Sequence, residues 1–184
     1  MNRSHIVAAL AVAVLIAFVV AACGSTEHSA APPTVPPLPT IDPTDVHAFA
    51  DLESKLPAQI AGRAMVRASY VLDPEAEEDT VTLVLEREGK DATTLQMAIE
   101  YPADDAGDLT ILAYRYPGMS AADVLALIGP DDVEGSIAPA SVGGRQVLEI
   151  NDGEGAAWAY AGGEVLYIVA GAPAVAEAAV AALP

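Results

Sequence analysis

Pro57-Ala58-Gln59-Ile60-Ala61-Gly62-Arg63-Ala64-Met65-Val66 and Pro139-Ala140-Ser141-Val142-Gly143-Gly144-Arg145-Gln146-Val147-Leu148 are two versions of one pattern, set 82 positions apart. Pro, Ala, Gly and Arg are identical between them, and Ile60 with Val142 and Val66 with Leu148 pair aliphatic residues. Each copy reads as a short lead-in, a glycine free to take a positive φ, and a strand. The residues after each copy also correspond, which marks a duplication spanning about 57–129 and 139–183.

In the second half, Ala156–Ala161 and Glu164–Ala170 read as strands around Gly162-Gly163, a tight hairpin signal. Pro173 suits a first helical position, and the Ala-rich run Ala174–Leu183 continues the helix. In the first half, Thr94–Tyr101 alternates, with Leu95, Met97, Ile99 and Tyr101 on one face. A polar turn from Ala103 to Gly107 precedes a strand over Asp108–Tyr116. Ser120 with Asp123 resembles a capping box, Met119 and Val124 can staple, and Gly129-Pro130 stops that helix.

Two segments lie outside the repeat. Thr44 can cap a helix carrying the stripe Val46, Phe49, Ala50, Leu52 and Leu56, ended by Pro57. Between the first two strands, Asp73 can cap and Pro74 can open a helix whose acidic start, Glu75, Glu77, Glu78 and Asp79, complements the helix dipole. Val81, Val84 and Leu85 share a helical face there, while Val81, Leu83 and Leu85 alternate as a strand would, so 74–88 stays open between the two. The sum is about six strands and four helices. Hairpins dominate and no βαβ crossover is marked, which predicts an α+β domain over 44–184, an antiparallel sheet with helices on one face.

The N-terminus has a different character. Arg3 and His5 precede an unbroken apolar run, Ile6–Val20. About 15 residues fall short of the roughly 20 that span a bilayer and fit the apolar region of a signal peptide. The run ends in Val20-Ala21-Ala22-Cys23-Gly24, and Cys23 is the one cysteine in the chain. This resembles the lipobox of bacterial lipoproteins, with Val20 in place of the usual leucine. The resemblance implies a diacylglyceryl group on Cys23, cleavage by signal peptidase II between Ala22 and Cys23, and acylation of the new amino terminus. Two or three fatty chains (palmitate and its kin), at about 0.8 kcal/mol per buried methylene, hold a protein stably on a membrane where one would not. The implied location is the extracytoplasmic face of the cell membrane. Residues 23–43 then form a linker with prolines at 32, 33, 36, 37, 39 and 43. Extended at about 3.1 Å per residue, it reaches roughly 60 Å. His28, within it, reads as solvated.

Charge and residue inventory exclude several classes. Lys plus Arg total 8 against 26 Asp plus Glu, a net charge of -18. Removing residues 1–22 takes Arg3 and no acid, leaving 7 basic against 26 acidic residues and -19. Nucleic acid is excluded as a partner, since phosphate binding needs clustered cations. A single cysteine excludes a disulfide framework or thiolate metal cluster. Apart from His5 in the leader, the histidines are His28 and His47, and no G-x-S-x-G elbow occurs. Asp131-Asp132-Val133-Glu134 lacks calcium-loop spacing and no phosphate-cradling glycine pattern exists, so no cofactor or metal is expected. The expectation is a non-catalytic protein.

What remains is aromatic. Tyr114 and Tyr116 share one strand face, as do Trp158 and Tyr160, with Tyr101 and Tyr167 nearby by topology. They read either as half-buried sheet residues under helices or as a surface that meets a ligand. Two functions are compatible with this inventory, a membrane-anchored envelope lipoprotein whose acidic domain binds a protein partner or a carrier of lipid or another small hydrophobe, and a third, an enzyme, would require His47 to lie in a cleft against a serine and a carboxylate. The domain is similar to a recurrent group of small bacterial lipoproteins and secreted proteins of unknown function. That similarity rests on Gly62-Arg63, Gly89-Lys90-Asp91, Tyr116-Pro117-Gly118, Val142-Gly143-Gly144-Arg145 and the closing Leu183-Pro184. These are turn positions, and they imply no ligand or catalytic residue.

Overall fold

The computed structural model describes residues 47–71, 79–104, 106–133, 135–151 and 155–184. Residues 1–46, with the leader, Cys23, the linker and Thr44, lie outside them, as do Asp73 and Glu75–Glu78. Eight strands form one antiparallel sheet: β1 (Gln59–Ile60), β2 (Arg63–Val71), β3 (Gln96–Pro102), β4 (Leu109–Arg115), β5 (Ser136–Val142), β6 (Arg145–Asn151), β7 (Ala156–Gly162) and β8 (Val165–Gly171). The four α-helices are α1 (Ala50–Glu53), α2 (Thr80–Arg87), α3 (Ala121–Leu127) and α4 (Pro173–Ala182).

The strand order is β1-β2-β3-β4-β8-β7-β6-β5, which reads the same from either edge when each half is matched to the other. The halves meet where β4 pairs with β8, Leu112 opposite Ile168. The two quoted stretches are the outer hairpins. Ile60 pairs with Arg63 around Ala61 (φ 50°) and Gly62 (φ 80°), and Val142 pairs with Arg145 around Gly143 (φ 57°) and Gly144 (φ 77°). Positive φ at both central positions gives the turn twist that matches the strands. The inner hairpin of the second half turns at Gly163-Glu164, because Gly162 still pairs with Val165.

The expected six strands become eight. The lead-ins before Gly62 and Gly144 are strands themselves, β1 and β5, since a two-residue turn pairs the residues before it with those after it. The helices also cover both faces rather than one. Alternation along β4 and β8 sends Leu109, Ile111, Tyr167 and Val169 to a core shared with α1 and α4, and Tyr114, Leu166 and Ile168 to a second core under α2 and α3. The duplication thus governs strands and not helices: α3 and α4 come after equivalent strands yet pack on opposite sides. α2 has no counterpart among the described residues, and it makes Thr80–Arg87 of the open segment helix, residues 74–78 lying outside the described residues.

Local chemistry explains each helix. Asp79, not Asp73, caps α2, accepting from the Val81 and Thr82 amides at 2.9 and 3.1 Å. Ser120 caps α3, accepting from the Asp123 amide. Pro173 occupies the first turn of α4. The helix expected from Thr44 is shorter: α1 is four residues long, and His47 instead bridges Ser69 in parallel.

The helix α4 touches β1 and β5, the two opposite edges of the sheet. Laid flat, eight strands would put those edges about 34 Å apart, against a helix about 10 Å wide. The sheet therefore curls around α4, whose Ala176, Ala179 and Val180 are fully buried. At the rims, β1 is two residues long and β5 carries Pro139 opposite Leu148.

Candidate functional site

The constellation that most resembles catalytic machinery is His47, Glu53 and Ser69. The chain entering the domain lies along β2, its Ala48 amide donating to the Ser69 carbonyl at 2.9 Å and its Phe49 amide to Ser69 Oγ at 2.7 Å. The Ser69 hydroxyl donates to Glu53 Oε1 at 2.5 Å. His47 Nδ1 stands 3.0 and 2.8 Å from the two Glu53 oxygens, and a carboxylate, which only accepts, requires the proton on Nδ1. The carboxylate sits in the middle. A nucleophilic hydroxyl needs a base at its oxygen and an orienting acid behind that base. Here the imidazole is outermost, 49% exposed, and Ser69 is fully buried. The trio is a strap that fastens residues 47–56 to β2.

The four aromatic candidates do not line one surface. Tyr114 is 2% exposed under α2 and donates to Asp79 Oδ2 at 2.6 Å, joining β4 to the cap of α2. Tyr116, half-buried, packs against the same core. Trp158, 7% exposed, and Tyr160 belong to the opposite face. Tyr160 stacks on Tyr167, ring centroids 6.1 Å apart, and lies under the Arg145 guanidinium at 4.7 Å. Arg145 donates to the Tyr160 hydroxyl, to the Leu183 carbonyl and, at 2.9 Å, to the Pro184 carbonyl. It latches the chain end beyond α4.

Tyr116 also lines a shallow cleft of about 340 Å³ with Arg115, Pro117, Gly118, Met119, Ser120 and Glu164. Its cation is already engaged: Arg115 pairs with Asp51 at 2.7 Å and donates to Gln96 at 2.6 Å. The same holds of the other arginines described. Arg63 grips Asp104 and Asp108, holding Asp104 below the usual carboxylate range; Arg67 stands beside Glu100; Arg87 pairs with Asp132 and Glu88. The guanidinium groups serve the fold, while Lys55 and Lys90 are exposed.

Two buried polar groups are prominent in the fold: Tyr167, named in the sequence only as a neighbour of the aromatic pairs, and Glu100, which the sequence pattern did not single out. Glu100 and Tyr167 are fully buried in the α1/α4 core, and neither the carboxylate oxygens nor the phenol has a hydrogen-bond partner among the described residues. Arg67 Nε approaches Glu100 Oε1 to 3.3 Å off the N–H direction, so the two attract as charges without a hydrogen bond. Burial pushes the Glu100 carboxyl up to about 8, opposed by Arg67. It pushes the Tyr167 phenol up to about 12, with the nearby Tyr160 and Glu100 adding to the rise and Arg145 opposing it. The strand pattern held the signal: Ala98 and Glu100 alternate against Met97 and Ile99, and a second covered face buries them.

Among the described residues no cluster of three or more His, Cys, Asp or Glu is placed to hold a metal ion. Nor is any helix there long and apolar enough to cross a membrane. No protein-family model matches the chain, and neither a curated protein nor a solved structure does.

Proposed function

We propose that the protein is a lipoprotein of the cell envelope, held on the extracytoplasmic membrane surface by acyl chains on Cys23, with a non-catalytic domain that binds a partner. The observation that carries this reading is Val20-Ala21-Ala22-Cys23 at the end of a 15-residue apolar run, with a proline-rich spacer behind it. The domain's geometry agrees with a tethered binding module: the strap follows the spacer in the chain, and Ser69 is buried and donates to the Glu53 carboxylate rather than to the His47 imidazole. The test is the intact mass of the protein extracted from its own membranes. A chain beginning at Cys23 and carrying diacylglyceryl is expected; an unmodified Cys23, or retention of Ala22, refutes the reading.

A carrier of lipid or a small hydrophobe is the second reading, favoured by a sheet that curls around α4. Any such ligand must displace α4, since Ala176, Ala179 and Val180 fill the concavity. Native mass spectrometry of the protein from its host separates the readings, with a co-purifying lipid favouring the carrier and a protein partner the binding module.

A further inference from the structure

We propose that Glu100 is a proton-operated switch that releases the strap, residues 47–56, from the sheet when the carboxyl ionises. Burial of the carboxyl beneath the strap and one shared guanidinium couple the two. Arg67 Nη1 donates to the Glu53 carbonyl at 3.3 Å, at the end of α1, while its Nε stands 3.3 Å from Glu100 Oε1. A neutral Glu100 leaves Arg67 to α1. An ionised Glu100, fully buried with no hydrogen bond, draws the guanidinium and water toward itself. The cheapest cover to lift is α1, a single turn, held to the core by its own Leu52 and by Leu56 just past it.

The groups facing Glu100 are few. Arg67 comes from β2, Tyr167 from β8 with Tyr160 and Arg145 behind it, and Glu53 from α1 with its carboxylate turned to His47 and Ser69. Ile111 lies opposite on β4, and the buried side chains of α4 carry no charge, its Glu177 being exposed. Arg67 is therefore the sole cation beside the carboxyl among the described residues. The sign is fixed: the folded carboxyl titrates at about 8 against an ordinary 4.5. The closed strap keeps a proton that the open form loses, so raising the pH favours opening.

The experiment is amide hydrogen exchange of residues 47–56 in the full chain in detergent, from pH 6.5 to 9.5, corrected for base-catalysed intrinsic exchange. Protection is expected to fall about 30-fold across that range in the wild type and to stay nearly flat in Glu100→Gln. Arg67→Gln should move the midpoint upward, since it removes the charge that opposes burial. A wild-type chain with no pH-dependent loss overturns the proposal. So does a transition that survives in Glu100→Gln, which would assign it to His47 in the strap. If Glu100→Gln does not fold, the Arg67→Gln midpoint decides: upward supports the switch, unmoved or downward refutes it.

Discussion

Replacing Gly143 with alanine measures how closely α4 approaches the β5–β6 turn. A Cβ at Gly143 would stand 3.0 Å from the Ala181 Cβ, the Ala181 amide nitrogen and the Glu177 carbonyl oxygen. Two of those atoms are helix backbone, so α4 itself must shift. Gly144, beside it in the same turn, has φ 77° and nothing within 4 Å of a built Cβ. Both substitutions put alanine in the left-handed region, at about 1 kcal/mol. Only Gly143→Ala adds overpacking, at about 1–3 kcal/mol. Urea titration should therefore show a loss of about 1 kcal/mol for Gly144→Ala and about 2–4 kcal/mol for Gly143→Ala, with similar m-values. Ala61, the counterpart of Gly143 in the first hairpin, is an internal control: it already carries a Cβ at φ 50° and is exposed. Ala61→Gly should stabilise by up to about 1 kcal/mol. Equal losses for Gly143→Ala and Gly144→Ala, within about 0.5 kcal/mol of each other, would mean that α4 does not lie against this turn. The curled sheet would then be the wrong description.

Tyr167→Phe removes a buried hydroxyl that has no partner among the described residues, so it should raise stability by about 1–2 kcal/mol in the same assay, and a loss would show that the hydroxyl is satisfied. Asp79→Ala deletes both the α2 cap and the acceptor of the Tyr114 hydroxyl, and should cost about 2–3 kcal/mol, with Asp79→Asn recovering part of it. Cys23→Ala should abolish lipid modification and detergent partitioning while leaving the melting transition of residues 44–184 unchanged; a lost transition would show that the anchor supports the fold.

Strand chemistry was legible because it is local. Glycines beside an arginine, alternating apolar residues and a proline after a strand each report on their own neighbourhood, and β2, β3, β4, β6, β7 and β8, the Ser120 cap and the Pro173 start derive from them. The α+β class and antiparallel pairing come in turn. What sequence did not disclose depends on the third dimension. The lead-ins became β1 and β5 because a two-residue turn is a pairing rule, not a composition. Helices on both faces could not be read from repeats, since α3 and α4 come after equivalent strands and still diverge. That divergence hid the site as well. With a single covered face, Glu100 opposite Met97 and Ile99 belongs to solvent; with two, it is sealed beside Tyr167. Tyr114, Trp158 and Tyr160 lie on the strands expected and Tyr116 falls just past the end of β4, but Tyr114 and Trp158 face opposite cores.

The rims of the sheet carry one more implication. Copies fixed by one end to a shared surface meet at far higher local density than in solution, and unpaired rims would then recruit one another into fibrils. β1 offers too short a template, and Pro139 interrupts the row of amide donors along β5. On the proposed anchoring, these two rims would give a crowded film of such molecules little edge to pair along.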